Sequence, residues 1–227
     1  IQTPVITQFA KEKVQAAALA KPKRYALSIG VSRYRDPSIN LTFASKDACD
    51  MARWIATQEG GLYRQAVVRV LYDDSATKDA VLEGLEWIVR ETTAKDVAMI
   101  FIAGHGVNDA TGEYFFLPHD ANVDSLSRTA VPQSDIRRAL LQVSGKALMF
   151  VDTCHSGQIM AQRRSIPPDI NRFIDALVTA DNGAVAFSAS TGRQFAIEDE
   201  AWGNGAFTTA LLEGLSGKAD YNRDKSI

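Results

Sequence analysis

The amino-acid sequence predicts an α/β fold with a central, mostly parallel β-sheet covered by helices on both faces. Short apolar and β-branched runs alternate with helical patterns along almost the whole chain, which is typical of a parallel sheet built from strand-helix units. Several of these runs are almost continuously apolar, as expected for strands buried on both faces. With 227 residues, of which 46% are hydrophobic, the chain can bury the core of one large domain.

Six segments are predicted as strands and five as helices. The strands are 25–31, 67–72, 97–103, 114–118, 147–152 and 184–189, and the helices are 44–58, 77–92, 133–142, 169–180 and 205–215. Thr77 and Ser134 precede two of the helical patterns and are predicted to be their N-caps. Residues 1–22, with an Ala-rich helical pattern over 8–20, are predicted to form an N-terminal helical extension or linker, and residues 23–227 the main domain.

Composition and charge exclude several classes of function. The formal net charge is −2, with positive and negative residues mixed, so no basic surface for nucleic acid is expected. The longest apolar runs, such as "VAMIFIA", are far too short to span a membrane. The two cysteines, Cys49 and Cys154, imply no disulfide framework and favour a reducing compartment, so a cytoplasmic location is expected.

Two polar clusters follow apolar strands, at the carboxyl ends where α/β sheets collect their chemistry. "AGHGVND" follows strand 97–103 and "DTCHSG" follows strand 147–152. Glycines flank His105, which allows close approach and frees the imidazole to act as a general base. A thiol such as Cys154 needs a nearby imidazole to become a thiolate at neutral pH. Each residue alone also has an ordinary interpretation, as a turn histidine or a small buried hydrophobic residue.

His155 is a rival base because it is adjacent to Cys154. Neighbouring side chains on an extended backbone point to opposite faces, so we expect His155 to turn away from the thiol and to have a structural role. The pair His105 and Cys154 is therefore the favoured catalytic pair.

The blocks "FIAGHGVND" and "FVDTCHSGQ" resemble caspase-like cysteine peptidases, in particular the metacaspase and bacterial orthocaspase branch. The resemblance covers about residues 23–227 and includes "YALSIGVSRY", "LTFASKDACDMA" and "SASTGRQFAIEDEAWGNGAFTTALLEGL". It implies a caspase-like three-layer α-β-α sandwich with a six-stranded, mostly parallel sheet, in a chain that lacks the family's last strand and helix. It also implies a His105/Cys154 dyad and an oxyanion hole formed by the backbone N–H groups of Gly106 and Cys154.

The resemblance further implies a cysteine endopeptidase with an acidic S1 pocket. Asp152 shares a strand face with Cys154, but a carboxylate there would oppose thiolate formation, so it needs another purpose. The family assigns this Asp, with one matching Asp47, to binding Arg or Lys at P1, and buried carboxylates discriminate strongly for a cation. Ala103, which replaces a serine of the family, and Ser188 are expected to line the same pocket. A helix N-terminal acid is the ordinary alternative for Asp47.

Two other functions stay open. Caspases proper hold an acidic P1 residue with arginines; an apolar residue, Leu41, stands where one is expected, whereas Arg193 keeps acidic specificity as an alternative. A non-catalytic caspase-like adaptor is the alternative from another class. If the specificity is for Arg, the loop 158–168 contains Arg163 and Arg164 as predicted sites of autocleavage.

No cofactor is predicted to be required. Calcium is the alternative, because several metacaspases bind it through aspartates and this chain offers Asp109, Asp120 and Asp124, although Ala161 stands where one family ligand lies. The expected partners are protein or peptide substrates, with neither nucleic acid nor membrane. A monomer is expected rather than a dimer.

Overall fold

The computed structural model of the protein describes residues 18–155, 184–189, 198–199 and 203–222, and for Cys154, His155, Glu198 and Asp199 it describes the backbone. The strands are β1 Lys23–Gly30, β2 Gln65–Tyr72, β3 Val97–Asn108, β4 Tyr114–Phe116, β5 Val131–Pro132, β6 Lys146–His155, β7 Val185–Ser188, β8 Glu198–Asp199 and β9 Asn204–Gly205. The helices are α1 Ala44–Ala56, α2 Lys78–Glu91, α3 Leu126–Thr129, α4 Gln133–Gln142 and α5 Ala206–Glu213, the last followed by a π-helical turn, Gly214–Lys218.

The predicted mostly parallel central sheet is confirmed. Within the described residues, strands β2, β1, β3, β6 and β7 are neighbours in that order and all pair in parallel. Strand β4 pairs antiparallel with the end of β3, and β5 pairs antiparallel with β4. Strand β3 thus exchanges one neighbour for another: it pairs with β1 up to Ala103 and with β4 from Gly106 onward.

Among the described residues the main sheet has seven strands, so the prediction of six was wrong by one. The additional strand is β5, Val131–Pro132. Two residues carry no periodicity that a sequence can reveal, and proline lacks the N–H that a central strand would need, so this short strand fits only a sheet edge. Strands β8 and β9 form a separate antiparallel pair.

The helices cover both faces of the sheet. On one face, Ala44, Ala48 and Met51 of α1 pack with sheet residues such as Met99 and Phe101, and α5 adds partly buried side chains. On the other face, the cluster combines sheet residues with side chains from α2 and α4, including Leu85, Ile88, Ile136 and Leu140. Each large side chain that is fully buried in these clusters contributes about 1.5–3 kcal/mol through the hydrophobic effect.

The two strands that carry the polar clusters are longer than predicted. Strand β3 ends at Asn108 rather than at residue 103, and β6 extends to His155 rather than to residue 152. His105 therefore lies within a strand, not in a loop after it. The sequence hid this because the segment is rich in glycine and polar residues, which are depleted in strands.

The helix predictions were mostly confirmed, with one wrong cap. Thr77 caps α2, since its Oγ1 accepts a hydrogen bond from the N–H of Ala80 at 3.3 Å. Ser134 is not an N-cap: Pro132 occupies that position of α4, and the Ser134 hydroxyl donates to Glu113 Oε1 at 3.3 Å. The predicted helix 169–180 and residues 8–17 of the predicted leader lie outside the described residues. Across the part of the chain that is described, no helix is long and apolar enough to cross a membrane.

Close packing of β1 against α1 requires glycine at position 30. A Cβ at Gly30 would lie 2.1 Å from the carbonyl oxygen of Ala44 and 2.6 Å from the Cβ of Ala48. We expect Gly30→Ala to lower the free energy of unfolding by about 3 kcal/mol or more. The added methyl group would clash with the backbone of α1, and the helix would have to move away from the sheet to make room. Urea denaturation of both proteins measures the change.

The matched control for this variant is Gly61→Ala. The nearest atom to a Cβ at Gly61 is the carbonyl oxygen of Gln58, at an ordinary contact distance of 3.5 Å. Equal stability of the two variants would contradict the close approach of β1 and α1.

Candidate active site

His105 and Cys154 are Cα partners in the parallel pairing of β3 with β6. Adjacent strands lie about 4.8 Å apart, so the backbone brings the two positions next to each other at the carboxyl ends of the strands. The expectation that the His and Cys blocks belong to neighbouring strands is thereby confirmed, although both residues lie within the strands rather than after them.

The imidazole of His105 is buried and held in one orientation. Its exposed fraction is 5%, and Nε2 lies 2.8 Å from the carbonyl oxygen of Ile39. A carbonyl can only accept a hydrogen bond, so Nε2 must carry the proton, and in the neutral ring Nδ1 then has the lone pair. The ring also packs on Tyr34, with 5.2 Å between ring centroids. These contacts define Nδ1 as the atom of His105 that can accept a proton.

Two glycines next to His105 make room for aromatic side chains. Gly104 has φ +149°, and a Cβ there would lie 3.0 Å from Tyr34 Oη. A Cβ at Gly106 would lie 2.4 Å from Tyr114 Oη. That tyrosine hydroxyl donates to Thr153 Oγ1 at 3.0 Å and so ties β4 to the residue before Cys154. Larger residues at either position would displace the strand that carries the histidine.

Tyr34 and Ile39 are site residues that the sequence did not reveal. The Tyr34 hydroxyl accepts the backbone N–H of His105 at 2.9 Å, and Ile39 contributes only its carbonyl. A backbone carbonyl has no sequence signature, so Ile39 could not have been found. Tyr34 ends the block "YALSIGVSRY", and its place directly after a strand end was the available signal.

A buried acidic pair lies beside the N-terminus of α5. Asp47 and Asp152 are 3% and 5% exposed. A Cβ built on Gly205 would lie 3.0 Å from Asp47 Oδ2 and 3.1 Å from Asp152 Oδ2, so the two carboxylates approach the same point. Asp47 does lie in the first turn of its helix, α1, but its burial next to a second acid exceeds what a helix-terminal role explains.

Neutral donors hold the two acids. Asp47 Oδ1 accepts from Asn204 Nδ2 at 2.8 Å and from the N–H of Gly205 at 3.1 Å, and Asp152 Oδ2 accepts from Thr208 Oγ1 at 3.1 Å. The sequence analysis missed these donors, although Asn204, Gly205 and Thr208 all fall in the long block with family resemblance near the end of the chain. These hydrogen bonds orient the two carboxyl groups toward the N-terminus of α5.

Asn204 also connects the acidic pair to a surface ion pair. Its Nδ2 lies 3.0 Å from Asp50 Oδ2, and its Oδ1 accepts from Lys46 Nζ at 2.9 Å. Burial raises the pKa of the Asp50 carboxyl, but hydrogen bonds from Lys46 and Asn204 and the nearby positive charges outweigh this and hold the pKa below its ordinary value. Asp50 is therefore ionised at neutral pH and forms an ion pair with Lys46.

The structure also locates the remaining predicted site residues that it describes. Ala103 is buried and is the Cα partner of Asp152, so it adjoins the acidic pair. Ser188 lies in β7, the strand next to β6, where it is the Cα partner of Val151. Gly106 is the Cα partner of His155. The remaining predicted positions, Arg163, Arg164, Arg193 and Ala161, lie outside the described residues.

Two of the three aspartates offered for calcium accept hydrogen bonds from the protein. Asp109 Oδ1 accepts from Thr111 and Glu113 within its own turn; although burial raises the pKa of this carboxyl, these hydrogen bonds lower it below its ordinary value. Asp120 Oδ1 accepts the N–H of Lys78 at 2.9 Å. Among the residues that the structure describes, no group of three or more His, Cys, Asp or Glu side chains is arranged to hold a metal. The prediction that no cofactor is required, with calcium as the alternative, stays a prediction.

Known proteins resemble this chain in sequence and in fold. The sequence profile of the caspase domain matches residues 23–225. The chain is 26% identical over 226 residues to a probable protease from a Desulfuromonadales bacterium, covering 86% of this chain but 26% of that protein. It also resembles the crystal structure of a protein from Geobacter sulfurreducens, with a TM-score of 0.62 and 21% identity over 86% of this chain and 83% of the other. The structural likeness establishes the fold, and this chain spans about a quarter of the curated relative.

Proposed function

Because this chain belongs to the caspase domain family of peptidases, we propose that it is a cysteine endopeptidase with a His105/Cys154 dyad, in the metacaspase and bacterial orthocaspase branch. The observation that carries the proposal is the backbone register in which His105 and Cys154 are Cα partners at the carboxyl ends of β3 and β6. Protein or peptide chains are the substrates of such a domain.

The orientation of His105 supports its role as the base. With Nε2 donating to the Ile39 carbonyl, Nδ1 accepts the thiol proton of Cys154 and generates the thiolate that attacks the scissile carbonyl. The imidazolium then donates this proton to the leaving amine, while the Ile39 carbonyl stabilises its positive charge through Nε2–H. Water hydrolyses the acyl-enzyme with His105 again as base.

The developing oxyanion needs donors positioned in advance. We assign this role to the backbone N–H groups of Gly106 and Cys154, as the family resemblance implies. Each such donor is worth about 3–4 kcal/mol of transition-state stabilisation in comparable sites. The tight contact of Gly106 with the Tyr114 ring supports this assignment, because it fixes the backbone from which one donor points.

We further propose that Asp47 and Asp152 form the S1 pocket and select Arg or Lys at P1. Two buried carboxyl groups that approach the same point form an acidic site, which suits a cationic side chain. An acidic P1 residue would add a further like charge beside the two acids, and a neutral one would gain no ion pair there. The acidic pair therefore favours a basic P1 residue over the alternative of an acidic one.

Covalent labelling tests the nucleophile directly. A peptide chloromethylketone that ends in arginine should modify one thiol per chain, Cys154, as located by mass spectrometry of the digested protein. Cys49 is the internal control: burial raises the pKa of its thiol, which makes it a poor nucleophile at neutral pH. Labelling of Cys49 alone, or of neither thiol, would favour the non-catalytic adaptor.

Specificity for Arg leads us to expect self-processing in the loop 158–168. Active protein should be cleaved after Arg163 or Arg164, because these positions offer the residue that the proposed pocket binds. The intact masses of the active protein, of Cys154→Ala and of a variant with both arginines replaced by Gln measure this. Active protein that keeps its full-length mass, as Cys154→Ala should, would contradict self-processing.

A further inference from the structure

A buried aspartate at the end of β2 lies across β1 from the catalytic strand. Asp73 is 5% exposed, and its backbone has φ 47°. Few residues other than glycine adopt this left-handed conformation, although aspartate tolerates it better than most. Such a conformation persists where the surrounding structure holds it in place.

The carboxylate of Asp73 binds the main chain that leaves β1. Oδ1 accepts the backbone N–H groups of Ser32 and Arg33, each at 2.9 Å, and Oδ2 accepts from Arg33 Nε at 3.0 Å. The Arg33 side chain is 68% exposed, so its ion pair contributes little. The two main-chain hydrogen bonds are the important ones, because they fix the path of the chain just before Tyr34.

The segment that Asp73 holds is the one that touches His105. Its two ends are joined by the hydrogen bond from the N–H of Leu41 to the carbonyl of Ser32, at 2.8 Å. Between these ends, Tyr34 accepts the backbone N–H of His105 and packs on its ring, and Ile39 accepts from Nε2. We call residues 32–41 the histidine-contact loop. Tyr34 directly follows Arg33, and Ile39 comes later in the same loop, so both contacts lie close to the two N–H groups that Asp73 binds.

We propose that Asp73 is a positioning residue, which acts through the histidine-contact loop to hold His105 in the Nε2–H tautomer and in the orientation that presents Nδ1. The catalytic part of this inference rests on the proposed function. The carboxylate does not touch substrate or the reacting atoms; it anchors the loop whose Tyr34 hydroxyl and Ile39 carbonyl do the holding.

Kinetics of two Asp73 variants test the inference. Asp73→Ala should lower kcat roughly 10²-fold with KM little changed, since misplacing a catalytic group by about 1 Å costs that much. Asp73→Asn keeps an oxygen that can accept from Ser32 and Arg33, so it should recover most of the loss. Both are measured at a temperature where circular dichroism shows the variants to be folded.

Asp96→Ala is the matched control. Asp96 is 4% exposed and likewise accepts two backbone N–H groups, from Lys23 at 2.9 Å and Thr93 at 3.1 Å, but it precedes β3 at the opposite end of the sheet. This variant should lose stability and keep the wild-type kcat. If Asp73→Ala and Asp96→Ala lose kcat equally, Asp73 is merely a structural residue and the inference is wrong.

The imidazole spectrum separates this inference from the proposed function. The chain has three histidines, so ring nitrogen signals in ¹H–¹⁵N NMR can be assigned with His105→Gln. The His105 signals should report protonated Nε2 in the wild type and a changed tautomer pattern in Asp73→Ala. Unchanged signals would overturn the inference. If the wild type shows no hydrolysis that depends on Cys154, the proposed function fails, and these signals still decide whether Asp73 governs His105.

Discussion

Cys154→Ala should lower kcat for a fluorogenic peptide with Arg at P1 by at least about 10⁴-fold, and His105→Ala should do nearly the same. Alanine cannot form the acyl-enzyme, and without the imidazole the thiol has no base to remove its proton. Nucleophile and base act as a unit, so the loss of either removes most of the chemical catalysis while binding and oxyanion stabilisation remain. Fluorescence assays with long incubation, over a wide range of enzyme concentrations, measure the residual rate of hydrolysis.

Two variants make this result specific. Cys49→Ala removes the other thiol, on α1 and half-buried, and should leave the rate unchanged. His155→Ala removes the rival base and should retain far more activity than His105→Ala. An outcome in which His155→Ala is inactive and His105→Ala is active would reverse the assignment of the base.

Replacing either acid of the pair by Asn should lower kcat/KM for an Arg peptide roughly 10²- to 10³-fold, because loss of one partner of a buried charge pair costs about 3–5 kcal/mol. Asn keeps the shape of Asp, and in Asp152→Asn its oxygen can still accept from Thr208. The loss should therefore come from the charge alone. Initial rates at low concentrations of substrate give kcat/KM for Asp47→Asn and Asp152→Asn.

A substrate with a neutral residue of the same shape at P1 shows how much of the loss in kcat/KM comes from the charge of arginine. Peptides with citrulline in place of arginine should be poor substrates of the wild type, and neither Asn variant should reduce their cleavage further. Asp79→Asn, on the exposed first turn of α2, is the control for a carboxylate elsewhere. Faster cleavage after Asp than after Arg by the wild type would contradict the basic S1 pocket and restore the acidic alternative.

The parallel sheet could be predicted because strands that are buried on both faces are visible in the sequence as apolar runs. All six predicted strands are present among the described residues, including 97–103 and 147–152, whose extensions carry His105 and Cys154. Hydrophobic burial dominates these segments, so their composition alone is informative. The two-residue strand β5 and the extension of β3 to Asn108 could not be predicted, because they depend on which chain segment lies alongside rather than on their own residues.

The candidate site was predictable where a side chain carries the chemistry and not where the backbone does. A histidine between glycines and a cysteine after a strand are visible in the sequence. The Ile39 carbonyl and the N–H of Gly205 are present in every residue, so only the fold distinguishes them. Asn204 was overlooked because its partner Asp47 is distant in sequence, on a different element.

Strand β3 pairs with β1 before His105 and with β4 after it. This change of neighbour determines how His105 can leave its position when the protein unfolds. The backbone carbonyl of His105 accepts from the N–H of Leu117 at 2.9 Å, while β6 runs along the other edge. A segment flanked in this way opens only when the sheet itself comes apart, which makes it part of the most protected unit of the molecule. Thermal inactivation through His105 should therefore coincide with global unfolding. The amide of Leu117, which donates to the His105 carbonyl, should exchange its hydrogen slowly.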